Sequence, residues 1–327
     1  MLSRVAESIY WMARYIERAE NLARFIDVTL NLILDQPNSL VSQWEPLVNT
    51  TGDEEYFKKH YGTPSSENVI HFLISDTEYS NSIVSSLRQA RENGRTVRES
   101  ISSEAWEQLN EFYHFVNSEA TTKTPLHSPS DYFRMVKQHA HLFNGILDAT
   151  MSHGPGWHFA NLGRLMERAD KTSRILDVKY FALLPTASDV GTTIDDLGWS
   201  AVLRSVSGFE MYRRRFRGLS VRRVVEFLIL DREFPRAVQY CLTEAEWSMR
   251  EITGSQPLTY RNTAERRLGS LKAELAYSDV DAIIHRGLHE FVDDLQKKLN
   301  AIGEGIHETF FAIRPVESGQ SQSQRQG

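Results

Sequence analysis

One helical segment occurs twice in this chain, and this repeat constrains the fold more than any other feature. Residues 14–28 read RYIERAENLARFIDV, and residues 164–178 read RLMERADKTSRILDV. The identities include the Arg-x-x-Glu-Arg-Ala opening, a later arginine and the closing Asp-Val. An internal repeat has to be explained before any single element is assigned, because each copy must have the same local structure. We therefore predict two diverged copies of one unit.

Further matches follow in the same order along both copies. They are Trp44 with Trp199, Gly52 with Gly208, Tyr56 with Tyr212, and residues 69–76 with residues 224–231. We place repeat 1 at about residues 1–125 and repeat 2 at about 150–313, within one helical domain over 1–313. Residues 318–327 are rich in Ser, Gln and Gly, which predicts a disordered tail.

Apolar residues recur every three or four positions in both copies, as on one buried face of a helix. The two stripes are Ile9, Met12, Ile16, Ala19, Ala23, Ile26, Leu30 and Ile33, and Phe159, Leu162, Met166, Ala169, Ser173, Leu176, Tyr180 and Leu183. Helical patterns also cover roughly 80–100, 103–120, 131–151, 199–217, 234–252, 262–276 and 279–313. Loops are expected near 121–129, 153–156, 185–198 and 254–257. The sequence predicts an all-α bundle of about ten or more helices in two pseudo-symmetric repeats.

Composition excludes several classes of protein. A net charge of −6 and a pI near 6 argue against nucleic-acid binding, which needs a clustered excess of cations. The single cysteine, Cys241, cannot form an internal disulfide or a Cys-based zinc site, and its apolar neighbours predict a buried, inert thiol. Neither a signal peptide nor a membrane span is indicated, so we expect a soluble cytoplasmic protein.

Several motifs resemble one bacterial family. They are LSRVAESIYWMARYIERAEN at residues 2–21, GRLMERAD at 163–170, QAREN at 89–93 with Val97-Arg98, SEAWEQLN at 103–110 and FPRAV at 234–238. Together they resemble the alpha-E family over nearly the whole chain, to about Ile313. The long opening motif is the most distinctive of them.

The resemblance implies an all-α protein whose biochemical role is poorly defined. Such proteins are typically encoded beside, or fused to, a circularly permuted ATP-grasp ligase, often with a transglutaminase-like peptidase nearby. The expected partners are therefore that ligase, that peptidase and a peptide or amino-acid substrate. The expected role is accessory or substrate-handling work in ATP-dependent peptide synthesis or modification, without activity of the chain alone and without a cofactor. This expected role follows from the genes that accompany the family, and it does not specify a mechanism.

The candidate site is the polar face beside each apolar stripe. The binding residues that we expect there are Arg14, Arg18, Asn21 and Arg24 in the first copy, and Arg164, Arg168, Lys171 and Arg174 in the second. Packing about a pseudo-twofold axis would bring them into one cleft with Glu17 and Glu167. Arginine forks bind carboxylates or phosphates. The alternative is that these arginines and glutamates only pair along the helix or across the axis.

Catalysis and metal binding are weaker alternatives. Glu17 and Glu167 are candidate acid/base residues of a peptide or amino-acyl transfer enzyme, but no recognisable nucleophile or phosphate-binding motif accompanies them. Two Glu-x-x-His pairs, at 111–114 and 304–307, are half of a di-metal bundle site. They do not fall at the repeat offset, so we favour surface coincidence and expect no metal.

The most basic stretch holds Arg213–Arg215, Arg217 and Arg222–Arg223, and its first-copy counterpart is Lys58-Lys59-His60. A solvated helix end is one explanation, and docking to an acidic partner or a phosphate is the other. No aromatic platform for nucleic acid is interleaved. Self-association through exposed apolar positions is left open.

Overall fold

The computed structural model describes residues 1–35, 44–49, 51–118, 129–182 and 193–312. Fifteen α-helices and no strands occur in these ranges, so the all-α prediction is confirmed. None of the helices there has the length and apolar character that crossing a membrane requires. Residues 121–128 of the loop predicted at 121–129, residues 185–192 of the loop predicted at 185–198 and the predicted tail at 318–327 lie outside the described residues.

The helices follow one another in a simple series. The first eight are α1 Ser3–Asp35, α2 Glu45–Asn49, α3 Glu54–Tyr61, α4 Ser66–Ile70, α5 Ile83–Thr96, α6 Ser103–Asn117, α7 Pro129–Thr150 and α8 Pro155–Ala182. The others are α9 Thr193–Ser205, α10 Phe209–Arg215, α11 Val221–Val225, α12 Val238–Thr253, α13 Thr263–Ala276, α14 Val280–Arg286 and α15 Leu288–Ile306. Single π-helical turns follow α4, α11 and α15, at His71–Ser75, Glu226–Leu230 and His307–Phe311.

Helices α1 and α8 cross at the centre of the bundle. Helices α5 and α7 pack on α1, while α12 and α15 pack on α8. The predicted stripes are buried in the bundle: Ile9, Met12, Ile16, Leu162 and Leu176 have no exposed surface. Burial of such side chains contributes about 1.5–3 kcal/mol each, so the crossing is a main source of stability.

A glycine sets how closely the two helices approach. A Cβ atom at Gly163 of α8 would lie 2.3 Å from the carbonyl oxygen of Tyr10 in α1. No side chain fits there, so the backbones are in direct contact at this point.

The two π turns at His71–Ser75 and Glu226–Leu230 lie in the same local structure. After each turn an aspartate, Asp76 or Asp231, accepts hydrogen bonds from the backbone N–H groups two and three residues later. Aromatic rings then stack across the turn, Phe72 on Tyr79 at 4.0 Å and Phe227 on Phe234 at 4.5 Å. This likeness agrees with the alignment of residues 69–76 and 224–231; duplication of the whole unit stays a prediction.

At one position the ring packing indicates a different pairing between the two copies from the one in the sequence alignment. Phe57 lies edge-on to Phe72 at 5.1 Å, with Tyr61 also edge-on at 5.7 Å, and Tyr212 lies edge-on to Phe227 at 5.6 Å. Tyr212 thus has the packing role of Phe57, whereas the sequence alignment paired it with Tyr56. The alignment was one residue out at this point because both neighbours are aromatic.

Two predicted helices are broken. The helix expected over 199–217 ends at Ser205, where Ser207 has a φ of 51° and Gly208 precedes α10. The helix expected over 279–313 is interrupted at Gly287, whose φ is 98°. Both conformations lie outside the helical region. Helix α9 begins at Thr193, so the loop predicted to reach residue 198 was too long.

Candidate functional site

The glutamate and arginine of each repeated motif pair reciprocally across the α1–α8 crossing. Arg168 donates from Nε and Nη2 to the two carboxylate oxygens of Glu17, both at 2.8 Å. Arg18 donates from Nε to Oε1 and from Nη2 to Oε2 of Glu167, at 2.7 and 3.0 Å. Both pairs are bidentate, which is the strongest hydrogen-bonding geometry between a guanidinium and a carboxylate. Such reciprocity is the contact pattern of a twofold arrangement.

Both glutamates are fully buried and ionised. Burial opposes the ionisation of Glu17, but the charges of Arg168 and Arg236 outweigh it and lower its pKa. Burial likewise opposes ionisation of Glu167, but Arg18, Arg14 and Lys171 hold the pKa of this carboxyl well below its ordinary range. The glutamates therefore fix the arginines in place.

One side of the crossing is closed by an additional arginine. Arg236, which follows the second π turn, donates to Glu17 Oε1 at 3.0 Å and to Glu20 Oε1 at 2.7 Å. Glu20 also accepts from Arg24 at 2.9 Å, and His141 lies 2.8 Å from it. This side is consequently filled by protein groups.

The other side has an asparagine where Arg236 stands. Asn81 has the same position relative to Asp76 that Arg236 has relative to Asp231. It accepts from Arg18 Nη1 at 2.6 Å and donates to Asp53 Oδ2 at 3.2 Å, where Tyr79 also donates at 2.6 Å. Because asparagine is short and uncharged, this side remains open.

A cleft of about 690 Å³ lies on the open side. Its cations come from α1 and α8, the two helices that carry the repeated motif and are called the signature helices below. Arg14 and Arg18 lie on α1, and Lys171 and Arg174 lie on α8. Their side chains are between 13% and 21% exposed, so they are held in place and yet reach solvent. Other lining residues are Tyr10, Trp11, Thr51, Gly52, Asp53, Asn81, Met166, Asp170, Leu299, Asn300, Gly303, Glu304, His307, Glu308 and Phe311.

Gly52 lets one cation approach the backbone. Its φ is 76°, and a Cβ atom there would lie 2.9 Å from Nη1 of Arg174. Arg174 also donates from Nε to both oxygens of Asp170, at 3.0 and 3.1 Å. The Arg174 guanidinium is therefore oriented by a carboxylate on its own helix and by the glycine that precedes Asp53.

The motif at the crossing is also the one that the comparison with protein families finds. A family model described as a predicted alpha-helical domain with a conserved ER motif matches residues 1–311. The chain belongs to the Alpha-E family. The Glu-Arg steps of the two repeated segments, 17–18 and 167–168, are the residues that pair reciprocally between α1 and α8.

The relatives of this Alpha-E chain are uncharacterized. Proteins from Mycobacterium bovis and from two strains of Mycobacterium tuberculosis are each 24% identical over 93% of the chain. The chain spans only 37% of the length of these relatives. No solved structure matches it.

The structure separates the predicted binding residues of this Alpha-E chain into two groups. Arg14, Arg18, Lys171 and Arg174 line the cleft. The rest are engaged elsewhere: Asn21 donates to Glu17, Arg24 to Glu20, Arg164 to Asn161 and Arg168 to Glu17. The cleft is thus lined by residues of both helices, on one side of the crossing only.

Asp53, Asn81 and the face of α15 that completes the cleft were not predicted from the sequence. No motif marks Asp53 or Asn81, and only the fold brings Asn81 to Arg18 and Asp53 to Asn81. Arg236 stands in the quoted segment FPRAV, yet nothing in the sequence assigned it to Glu17 and Glu20.

The acid/base role of Glu17 and Glu167 stays a hypothesis, and their contacts favour the alternative of buried ion pairs. Neither carboxylate is among the described residues that line the cleft. A general base must reach a substrate proton, which a fully buried, doubly paired carboxylate is poorly placed to do. Cys241 is buried as predicted, and burial raises the pKa of its thiol to about 12.

The two Glu-x-x-His pairs differ in position. Glu111 and His114 are exposed on α6, whereas Glu304 and His307 line the cleft. Over the described ranges, no three or more His, Cys, Asp or Glu side chains form a group that could hold a metal ion. Glu304 and His307 are exposed, as expected of a surface pair, and they lie in the lining of the cleft.

The basic run lies at the end of α10 and in α11. Arg213–Arg215 form the last turn of α10, where cations are favoured by the helix dipole. Arg222 donates two hydrogen bonds to Asp281, at 2.7 and 3.1 Å, and Arg215 pairs with Asp231. These pairs support the structural explanation for part of the run.

Proposed function

We propose that this Alpha-E chain is a substrate-handling subunit whose cleft binds an anionic group of a peptidic substrate. The observation that carries the proposal is the set of four cations, Arg14, Arg18, Lys171 and Arg174, converging on one cleft from both signature helices. Guanidinium and ammonium groups on a rigid scaffold are the usual recognition elements for carboxylates and phosphates.

The charge balance of this wall supports anion binding. The four cations contact two carboxylates, Glu167 and Asp170, which leaves two positive charges in excess. Asp53, hydrogen-bonded to Asn81, offsets one of them. A cleft of this volume is in the range of small-ligand sites.

The proposed setting is the cytoplasm, beside an ATP-grasp ligase that activates the substrate, with a transglutaminase-like peptidase as a further partner. The support is the family resemblance, together with the single cysteine, which suits a reducing compartment. The mycobacterial relatives extend well beyond the matched region, which is compatible with Alpha-E units being joined to further domains. We propose no chemistry for the isolated chain.

Direct binding tests the anion site. Calorimetric titration of N-acetylated Ala-Xaa dipeptides, with each natural amino acid as Xaa, should give saturable binding that weakens as salt rises. Arg174→Gln should weaken binding about tenfold, because a charge-assisted hydrogen bond is lost. Arg95→Gln is the matched control, since Arg95 is exposed on α5 and paired with Glu92. Absence of saturable binding, or equal binding by the Arg174 variant, would refute the site.

The ligase partnership requires a separate assay. Pull-down with an ATP-grasp protein encoded beside this gene, followed by ATP consumption over an amino-acid and peptide panel, should show a rate that depends on this chain. Lys171→Met and Arg174→Gln should lower that rate while the pull-down persists. These variants are preferable to glutamate variants because Lys171 and Arg174 are partly exposed, whereas Glu17 and Glu167 are fully buried.

A further inference from the structure

One wall of the cleft is acidic. It is formed by the end of α15 and the following π turn, where Asn300, Glu304 and Glu308 recur every four residues and so share one helix face. Glu304 and Glu308 are exposed, and neither side chain has an ion-pair partner in the described part of the chain. His307 stands between them, with its Nδ1 3.9 Å from Glu7.

The charges in the cleft are therefore segregated. Arg14 and Arg18 face Glu167, and Lys171 and Arg174 face Asp170, so the cations are held on the wall made by α1 and α8. Two carboxylates stand on the other wall without a cation of the described protein. A ligand that complements both walls carries an anion at one end and a cation at the other.

Aromatic side chains, Tyr10, Trp11 and Phe311, line the same cleft. Phe311 of the π turn packs on Tyr10 at 5.4 Å, and the Arg14 guanidinium lies 4.8 Å from the ring centre of Trp11. Such an aromatic lining suits the carbon atoms of a ligand that has a charged group at each end.

We propose that the cleft binds an amino acid or short peptide with both ends unblocked, its carboxylate at Lys171 and Arg174 and its ammonium at Glu304 and Glu308. This inference rests on the proposed function, because it takes the cationic wall as the carboxylate site. It adds the free amino group as a requirement for recognition.

Three matched probe sets test it by calorimetry on the whole chain: Ala-Xaa dipeptides, their N-acetyl derivatives and their C-terminal amides. The free dipeptides should bind about fivefold more tightly than the N-acetyl forms, as a partly solvated ion pair allows. The variant Glu304→Gln/Glu308→Gln should lose that preference and bind the N-acetyl forms as before. Glu107→Gln, an exposed glutamate on α6, is the control and should keep the preference.

The outcomes separate the two proposals. Equal binding of free and N-acetylated dipeptides, or a preference that survives in the double variant, overturns this inference and leaves the anion site intact. Absence of binding by every probe overturns both. Circular dichroism of the double variant checks that its fold is retained.

Discussion

At the centre of the molecule, Glu167 is surrounded by Arg14, Arg18 and Lys171, and it has no exposed surface. A buried carboxylate with these partners contributes little net stability as a pair, but its removal leaves charges without compensation. The same reasoning applies to Glu17, which holds Arg168 and Arg236.

We predict that Glu167→Gln lowers the free energy of unfolding by about 3–5 kcal/mol, the usual result of breaking a buried pair. Urea unfolding followed by circular dichroism measures it. Glu92→Gln, which removes an exposed partner of Arg95, should cost less than about 1 kcal/mol. Similar losses of unfolding free energy in the two variants would contradict a special role of the buried Glu167 ion pairs in stability.

Acid should unfold the protein through these carboxylates. The pKa values of Glu17, Glu20 and Glu167 are lowered from 4.5, and that of Asp170 from 3.8, because their arginine and lysine partners outweigh the effect of burial. The unfolded chain therefore binds protons at higher pH than the folded one. Stability from these groups is complete above about pH 5 and is lost as pH falls below 4.5 through the folded values.

The measurement is the urea midpoint as a function of pH. The midpoint of the wild type should fall steeply below pH 4.5, and Glu167→Gln should show a shallower fall because one titrating group is gone. A flat profile between pH 5 and pH 3 would show that these carboxylates are not depressed.

At the scale of helices, Gly163 allows α1 and α8 to touch. We predict that Gly163→Ala destabilises the protein by about 1–3 kcal/mol or more, because the added methyl meets the Tyr10 carbonyl and the helices must move apart. Gly145→Ala is the control, since Gly145 is exposed on α7 with nothing within 4 Å of its Cβ position. It should stabilise by about 0.5–1 kcal/mol. Thermal unfolding of both variants should thus give shifts of opposite sign.

Helices α1 and α8 were predictable because their apolar stripes decide which face is buried. The breaks at Ser207 and Gly287 were not, since each depends on a backbone conformation that the surrounding helical pattern conceals. The π turns after α4 and α11 were not predicted, because the same apolar residues suit an α or a π turn.

At the scale of the whole molecule, one continuous core joins both halves. We predict a single cooperative transition, with the intrinsic tryptophan fluorescence and the far-UV circular dichroism coinciding on heating. Trp11, Trp44 and Trp106 report on the first half, and Trp157, Trp199 and Trp247 on the second. Two separated transitions would mean that the halves fold independently despite the central ion pairs.

The cleft could be predicted only in part. The repeat predicted one site for eight polar residues, because equivalent helices pack through equivalent faces. Only four of the eight, Arg14, Arg18, Lys171 and Arg174, line the cleft. The cleft lies on one side because Asn81 occupies there the position that Arg236 occupies on the other side. This difference between the copies could not be interpreted from the sequence, because only the structure shows that both residues contact the crossing. Its acidic wall comes from residues near 304, remote in sequence from both motifs.

The reciprocal pairing of Glu17 with Arg168 and of Glu167 with Arg18 has a consequence for how such chains diverge. A change at one of these positions strands a charge in the interior, whereas a simultaneous change at its partner removes it. Across relatives, positions 17 and 168 should therefore vary together or not at all, and so should 18 and 167. The two copies of the motif should consequently change together during evolution, although each lies in a different half of the chain.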